Sequence, residues 1–220
     1  MHEPDTCCIC SQIAGRERND LISRLLSWPT YVRRVPRETH NFAAVPSLGP
    51  LAPGHTLLCP KSHIRSIAWV PMSYQEEYDA FRDSLAGILV TLFGAPVHAF
   101  EHGSPQQAGR ILCSVDHAHL HLVPADIDVL ATLTREANWT EIGPSIGSLR
   151  EVVGEKEYLF YESPEHRRIV AVSGECGFES QYLRRVFATA LGSGAEWNWR
   201  DDPRPIDADN TYRAILAAPC

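Results

Sequence analysis

The sequence predicts a folded protein that combines β-strands with α-helices, and three observations support this. Short segments such as "TYVRRVPRETHNFAAVPSL" and "CSVDHAHLHLVP" alternate polar and apolar residues, which is typical of half-buried strands. A longer segment, "SYQEEYDAFRDSLAGILVTLFG", repeats apolar residues at helical spacing and ends at Gly94. Hydrophobic residues make up 44% of the 220 residues, which is enough for a packed core.

The predicted elements follow in order along the chain. "DLISRLLS" predicts a short helix or turn, and the next segment predicts two strands with a turn near residues 36–39. A turn at Pro53-Gly54 precedes a strand over 55–59. After the long helix, "VHAFEHG" predicts a strand, "SPQQAGR" a polar loop, and "CSVDHAHLHLVP" a strand that ends at Pro124.

The pattern changes after Pro124. "ADIDVLATLTREA", "ESQYLRRVFATAL" and the tail "DADNTYRAILAA" predict helices, while "EYLFYES" and "RRIVAVS" predict a hairpin around Pro164-Glu165. We therefore predict a boundary near residue 125, with one domain over 1–125 and a C-terminal extension over 126–220.

Charge and composition exclude some classes of protein. The net charge is −7 and no cluster of lysine and arginine is present, which disfavours a long nucleic acid as partner but not a small nucleotide. "MHEPDTCCIC" lacks the pattern of a signal peptide, and no run of 18 apolar residues occurs, so we expect no membrane segment. The seven cysteines, three of them within residues 7–10, favour reduced thiols in a cytoplasm, some of them on a metal.

"SVDHAHLHLVP" places three histidines at every second position. Because side chains alternate faces in a strand, His117, His119 and His121 are predicted to share one face, with Ala118, Leu120 and Leu122 on the other. Three interpretations follow. The histidines are ordinary half-exposed residues, or alternate histidines bind one metal with a further ligand from elsewhere, or a neutral imidazole attacks a phosphorus centre while a second histidine assists the leaving group.

"HAHLHLV" resembles the His-x-His-x-His-x-x motif of the histidine-triad (HIT) superfamily, in which x is apolar. Three further segments resemble the same family in the same order: "CCICSQIAG", "PGHTLLCPKSHI", and "FEHG" followed by "CSVDH". The resemblance covers about residues 7 to 124, a little over half of the chain. It implies an α+β fold around an antiparallel sheet of about five strands with packed helices, here with an α/β C-terminal extension.

The resemblance also implies an enzyme that binds a nucleotide beside the histidine strand. His119 would attack the α-phosphate and form a nucleotidyl-histidine, His121 would bond a phosphate oxygen or assist the leaving group, and His55 would support the triad. Ser114 and the loop "EHGSPQQAG" would contact phosphate, and Ser47 would hold the sugar. The residues expected in that loop are His102, Gly103 and Gln107.

Two of these positions bear on specificity. Many relatives carry aspartate or asparagine where this chain has Ser47, so recognition of the sugar is expected to differ. The nucleotidyltransferase branches usually carry glutamine where this chain has His121, which favours hydrolysis here. The substrates left open are phosphoramidates, dinucleoside polyphosphates and nucleotide sugars. The alternatives are transfer of the nucleotidyl group to phosphate or a sugar phosphate, and a nucleotide-binding module without catalysis.

Cys7 and Cys10 have the spacing of zinc ligands, although two buried thiols or a redox pair would share it. The resemblance implies that His63 and His117 complete a structural Cys2His2 zinc site, with Cys8 as the alternative to Cys7. It also implies a homodimer as one assembly, which the residues leave undecided.

The extension contributes two further expectations. Leu183, Val186, Phe187 and Leu191 form one apolar helical stripe, most simply part of the core. Arg184 and Arg185 cannot both lie on that stripe, and we expect them to be solvated or paired with acidic neighbours; the alternative is that one reaches the substrate phosphates.

Overall fold

A computed structural model describes residues 7–15, 24–25, 35–104, 115–136, 138–174, 178–193 and 197–219 of the chain. Within these ranges, eight antiparallel strands form one sheet. The strands are β1 (Arg37–Glu38), β2 (Phe42–Pro46), β3 (Thr56–Pro60), β4 (Val97–Gly103), β5 (Leu120–Pro124), β6 (Thr140–Glu141), β7 (Tyr158–Glu162) and β8 (Arg168–Val172). The helices are α1 (Cys8–Ile13), α2 (Gln75–Phe93), α3 (Leu130–Glu136), α4 (Ile146–Val153), α5 (Tyr182–Ala190) and α6 (Pro205–Ala217).

The strand order is β1-β2-β3-β5-β4-β7-β8-β6, with β5 and β4 at the centre. Strand β5 pairs with β3 on one side and with β4 on the other. Strand β4 in turn pairs with β7, so strands from beyond residue 125 continue the same sheet. The boundary near residue 125 stays a prediction, and hydrogen bonds of the sheet cross between the two segments it separates.

One face of the sheet is covered by α2, α4 and α6. Leu120 and Leu122 of β5 lie in that core, together with Leu85 of α2, Leu149 of α4 and Ile215 of α6. These are the alternate residues that the sequence predicted to face the core, because side chains one residue apart in a strand point to opposite faces. The odd-numbered histidines of the same segment therefore face the other side.

The second face packs against α3 and α5. Phe100 of β4 and Val123 of β5 share a buried cluster with Leu133 of α3 and with Leu183 and Phe187 of α5. The apolar stripe predicted for "ESQYLRRVFATAL" is therefore part of a core, because its residues in α5 pack against β4 and β5 on this face of the sheet.

The predicted class, an α+β fold with an antiparallel sheet, is confirmed, with eight strands instead of about five. The long helix ends as predicted, because Gly94 adopts a positive φ of 68° that ends the helix in the left-handed region. The hairpin around Pro164 is formed by β7 and β8. The histidine strand is shorter than predicted, since β5 begins at Leu120. Most of "DLISRLLS" lies outside the described residues. Among the residues that the structure describes, no helix combines the length and apolar character needed to cross a bilayer.

Candidate active site and metal centre

A cleft of about 550 Å³, including the part open to solvent, lies beside β5 and is called the histidine cleft below. His119 and His121 form one wall, and most of the remaining wall is apolar. The residues that complete the lining come from α1, from β2 and β3 and the loop after β2, from the segment before β5, and from the C-terminal region: Cys8, Ile9, Gln12, Val45, Pro46, Ser47, Leu48, Leu57, Val115, Arg184 and Trp199. The cleft therefore combines two imidazoles with a surface suited to a flat apolar group.

The ring of His119 is fixed by its own backbone neighbour. The Nδ1 atom of His119 lies 2.6 Å from the carbonyl oxygen of His117. Because a carbonyl can only accept, Nδ1 carries the proton, and the Nε2 atom of a neutral His119 then holds a lone pair. This Nε2 has no partner among the described residues, so its lone pair is available at the cleft.

His55 fixes the protonation of His121, whose proton lies on the opposite ring nitrogen from that of His119. The backbone N–H of Leu51 donates to Nδ1 of His55 at 3.0 Å, so a neutral His55 carries its proton on Nε2. That Nε2–H donates to Nδ1 of His121 at 2.8 Å. A neutral His121 therefore carries its own proton on Nε2, where it can donate to a bound group.

Packing holds the two rings in place. The ring of His121 stacks on Phe100 with centroids 4.4 Å apart and an angle of 14° between planes. The centroids of His119 and His121 are 4.9 Å apart, and both side chains are buried. The cleft thus presents a lone pair and an N–H donor side by side, on rings that cannot easily turn.

Burial keeps all three imidazoles neutral. Loss of water lowers the pKa of His119, and it lowers the pKa of His55 and of His121 well below the usual value for histidine. A neutral ring is the form that carries the lone pair, so the electrostatics of the cleft agree with its hydrogen bonds.

Cys7, Cys10, His63 and His117 form a second group, called the metal cluster below, whose four ligand atoms all lie within 4.8 Å of one another. Sγ of Cys10 is 3.4 Å from Nδ1 of His63 and 3.3 Å from Nδ1 of His117. Ligands about 2.0 to 2.3 Å from a tetrahedral ion are separated by roughly 3.3 to 3.8 Å. The cluster therefore has the donor set and spacing to hold a metal ion.

Two further observations fit a metal at this cluster. Nε2 of His117 donates to the carbonyl oxygen of Pro60 at 2.8 Å, which leaves the Nδ1 lone pair directed at the thiols. The pKa of Cys7 falls to about 3, chiefly because Cys10 hydrogen-bonds to it, whereas burial raises the pKa of Cys8 to about 11. Cys7, and not its neighbour, therefore presents the thiolate.

No model of a protein family matches the chain, and no curated protein matches it. Among solved structures, a HIT family protein from Bacillus subtilis is 22% identical, covers 54% of this chain and 72% of its own, and has a TM-score of 0.39. A HIT family protein from Bacillus anthracis is 22% identical, with coverages of 55% and 73% and a TM-score of 0.40.

This chain is similar to histidine-triad proteins. A HIT family hydrolase from Clostridium thermocellum is a further example, at 20% identity, coverages of 55% and 91%, and a TM-score of 0.35. Each of these TM-scores is below 0.5, so the roles assigned below depend on the hydrogen bonds and burial of this chain alone.

The structure brings together most of the residues predicted from the histidine-triad motif. His121 contacts both His55 and His119, and Ser47 lines the same cleft, where its hydroxyl donates to the carbonyl of Leu48. All four predicted metal ligands meet in the metal cluster. The catalytic and sugar-binding roles themselves stay predictions.

The structure describes only some of the residues predicted to contact phosphate. His102 does not line the histidine cleft. Its Nε2 atom lies 2.5 Å from Oε1 of Glu157, the residue before β7. Gly103 packs so closely against Tyr158 that a Cβ atom would lie 2.1 Å from the tyrosine ring, which explains a glycine there by packing. Gln107 and Ser114 lie outside the described residues.

The C-terminal region and α1 also bring residues to the cleft, and of these the sequence indicated only Arg184, as one of two arginines that could alternatively reach the substrate phosphates. Arg184 and Trp199 line it, as does Gln12. Arg185 has the expected acidic partner, because its Nη2 atom lies 2.7 Å from a carboxylate oxygen of Glu179. The same expectation is wrong for Arg184, which is buried and donates to backbone carbonyls. Helical periodicity places Arg184 beside Leu183 and Phe187, and no local pattern shows which side of that stripe meets the cleft.

Proposed function

We propose that this chain is a hydrolase that cleaves a nucleoside phosphate derivative at the α-phosphate through a nucleotidyl-histidine on His119. Phosphoramidates and dinucleoside polyphosphates are the substrate classes considered. One observation carries the proposal: within one cleft, the Nε2 atom of His119 holds a lone pair while the Nε2 atom of His121 holds a proton. Nucleophile and hydrogen-bond donor are the two groups that displacement at phosphorus requires.

The bonds change in two steps. The lone pair of His119 Nε2 attacks the α-phosphorus, and the bond from phosphorus to the leaving group breaks, so the leaving group departs with that electron pair. A phosphate leaving group departs as an anion, whereas the nitrogen of a phosphoramidate takes a proton from solvent and departs as a neutral amine, a proton that the water attacking in the second step returns. The Nε2–H of His121 donates a hydrogen bond to a phosphate or leaving-group oxygen, which stabilises the charge that develops there. Nδ1–H of His119 donates to the carbonyl of His117 throughout, which stabilises the ring as it becomes positively charged.

In the second step, water attacks phosphorus, the P–N bond breaks, and His119 recovers its lone pair. The products are a nucleoside monophosphate and the freed leaving group. If phosphate or a sugar phosphate discharges the enzyme faster than water does, the chain is instead the nucleotidyltransferase that the sequence left open.

We also propose that the metal cluster holds one structural zinc ion. Two thiols and two imidazoles are the donor set that zinc prefers in closed tetrahedral sites. His117 is two residues from His119 and supplies the carbonyl that orients its ring, so a metal on His117 would fix the backbone at that point. When bound, the ion supplies structural rigidity and takes no part in the displacement.

The direct test is to trap the covalent intermediate. The full chain is mixed with α-labelled ATP, diadenosine tetraphosphate and an adenosine phosphoramidate, then denatured at alkaline pH, because a phosphorus–nitrogen bond to histidine survives alkali but not acid. We expect label on the wild type and none on His119→Ala. His166→Ala is the matched control, because this histidine is exposed and its ring contacts Glu162 outside the cleft.

The route by which the label leaves then identifies the reaction. Release as nucleoside monophosphate in water supports a hydrolase, and faster release on addition of phosphate or a sugar phosphate supports a transferase. Tight nucleotide binding with no labelled protein and no turnover on any of these substrates would contradict both and leave a binding module.

A further inference from the structure

Arg184 is a charged residue in the wall of the histidine cleft that the proposed displacement does not use. It comes from α5 in the C-terminal region, and its side chain is only 4% exposed. A guanidinium stays protonated at neutral pH, and although burial lowers the pKa of Arg184, the value remains about 10. The cleft therefore contains one buried positive charge.

The partners of this guanidinium are neutral. Nε donates to the carbonyl oxygen of Trp197 at 2.8 Å, and Nη2 donates to the carbonyl oxygen of Gly49. Within the part of the chain that the structure describes, no carboxylate forms an ion pair with Arg184, and Nη1 has no hydrogen-bond partner. The positive charge of Arg204 lowers the pKa of Arg184 further.

This arrangement is unusual for a buried charge. Removing a cation from water is unfavourable, and two carbonyl oxygens offset only part of that penalty, because they bring no opposite charge. Glu179 shows the usual solution one residue away, where it forms an ion pair with Arg185. Arg184 lacks such a partner within the described chain and faces a cleft, so an anion that enters the cleft would complete its interactions.

The Arg184 charge also acts on the groups across the cleft. Burial is the main reason that the pKa of His55 and the pKa of His121 are low, and the positive charge of Arg184 lowers both further. Arg184 and His121 line the same cleft, so the charge and the imidazole face a shared space.

We propose that Arg184 is the anion-binding residue of the histidine cleft and holds a phosphate group of the substrate. A guanidinium offers its N–H groups in a fixed plane that matches phosphate oxygens. Most of the remaining wall, which includes Ile9, Val45 and Trp199, is apolar and suits a nucleobase. The ligand class is therefore a nucleoside phosphate, with its charged end between Arg184 and the two imidazoles. This inference rests on the proposed function and assigns part of the binding site to the C-terminal region.

The test measures binding of two probes, AMP and adenosine, by titration calorimetry. They share the nucleoside and differ by the phosphate. In Arg184→Gln we expect AMP affinity to fall roughly ten- to a hundredfold, since a hydrogen bond to a charged group is lost, while adenosine affinity stays within about twofold. The matched control is Arg185→Gln, which removes the same charge from the next residue of α5 but outside the cleft, and should bind AMP as the wild type does.

A folded Arg184→Gln that binds AMP as tightly as the wild type would overturn the inference, and so would a wild-type protein that shows no preference for AMP over adenosine. An equal loss for AMP and adenosine would also overturn it, because that pattern indicates a structural role for the bonds to Trp197 and Gly49.

If Arg184→Gln does not fold, the wild type decides. With ¹⁵N-labelled arginine, the guanidinium signals of Arg184, assigned by their absence in Arg184→Lys, should shift on addition of AMP but not of adenosine. Signals that stay unchanged at saturating AMP would overturn the inference.

The two proposals fail in different ways. AMP binding needs no chemistry, so calorimetry of the wild type and of Arg184→Gln with AMP and adenosine reports on Arg184 whether or not labelled His119 forms. If labelled His119 forms but AMP binding does not depend on Arg184, only the inference is wrong. If AMP binding depends on Arg184 and no label forms on any substrate, the inference stands and the enzymatic function is wrong.

Discussion

His117 and His119 are two residues apart, and the two regions that they serve use opposite nitrogens of the ring. In the metal cluster, His117 donates from Nε2 to the carbonyl of Pro60, so its Nδ1 lone pair faces the thiols of Cys7 and Cys10. In the histidine cleft, His119 donates from Nδ1 to the carbonyl of His117, so its Nε2 lone pair faces the cleft. The nitrogen that meets a backbone carbonyl carries the proton, so it decides whether the lone pair of the ring faces the thiols, as in His117, or the cleft, as in His119.

The regions also differ in how their donors converge. The four ligand atoms of the metal cluster all lie within 4.8 Å of one another, which suits a single ion. His119 and His121 instead face one cleft with different capacities, a lone pair and an N–H, which suits a substrate with more than one reacting atom. The same residue type therefore serves two chemistries on one segment, because its neighbours differ.

The largest expected effect is loss of the metal from Cys10→Ser. Elemental analysis should find about one zinc per wild-type chain and none in this variant. Structural zinc contributes strongly to folding, so we expect a loss on the order of 5 kcal/mol, or a fall in Tm of roughly 10 to 20 °C. Cys8→Ser is the control, since Cys8 lies outside the metal cluster, and it should keep its zinc.

Wild-type protein prepared without chelators and free of zinc would contradict the assignment of the metal cluster. If Cys10→Ser lost zinc but labelled His119 at the wild-type rate, the two regions would be independent, and the link through His117 would be wrong.

A smaller effect is expected from His55, which positions His121. His55→Ala removes the donor to His121 Nδ1 and the acceptor of the Leu51 N–H, so the ring of His121 can turn. We expect the rate of labelling at saturating nucleotide to fall about ten- to a hundredfold, with a stability loss of about 1 to 3 kcal/mol. Nucleotide affinity should change little, because His55 itself does not line the cleft.

His55→Gln provides the control for this prediction, because an amide can donate to His121 and accept from Leu51 at once. It should recover part of the lost rate. Equal rates in the wild type and both variants would show that the hydrogen bond from His55 does not set the protonation of His121.

The smallest effect is expected from Glu101, on the other face of the sheet. It shows whether burial also sets the protonation of a carboxyl group, as it does for the histidines. Burial raises the pKa of Glu101 to about 7 from an ordinary 4.5, although it accepts hydrogen bonds from Tyr158 and from the N–H of Ile67. The folded state then holds this proton more tightly than the unfolded chain does. The stability that it contributes is present below about pH 4.5 and is lost as the pH rises to about 7.

Over that pH range, the contribution of Glu101 to the free energy of unfolding changes by about 3 kcal/mol at most. In Glu101→Gln, urea unfolding from pH 4.5 to pH 7.5 should show a stability that declines less with rising pH than that of the wild type. Parallel curves for the two proteins would mean that the Glu101 carboxyl has an ordinary pKa despite its burial.

Much of the fold and the site could be predicted from local patterns. The alternation of His119 and His121 with Leu120 and Leu122 set which residues face the core, since strand geometry fixes opposite faces. Gly94 set the end of α2 through its backbone conformation. The spacing of Cys7 and Cys10 indicated a metal, and the resemblance to histidine-triad proteins named His63 and His117, which the structure brings into one cluster with them.

Other features had no local signal. Local patterns predict the hairpin of β7 and β8, but they do not show that it joins the same sheet, which depends on pairing between β4 and β7, two strands more than 50 residues apart in sequence. Arg184 resembled a solvated helical residue, because its burial depends on the turn at Gly49 and the segment at Trp197, and sequence spacing carries no information about either.

The sequence by itself determined the chemistry available to this protein: three imidazoles on one face of a strand, two thiols at ligand spacing, and the apolar residues that turn the imidazoles away from the core. Only the tertiary structure decided how that chemistry is used. The carbonyls of Pro60 and His117 and the N–H of Leu51 select a nitrogen on each ring, and α5 brings to the histidine cleft a guanidinium whose partners among the described residues are neutral carbonyls. The physical reason is that periodicity fixes the direction of a side chain, whereas protonation and charge depend on partners that are distant in sequence and adjacent only in the folded chain.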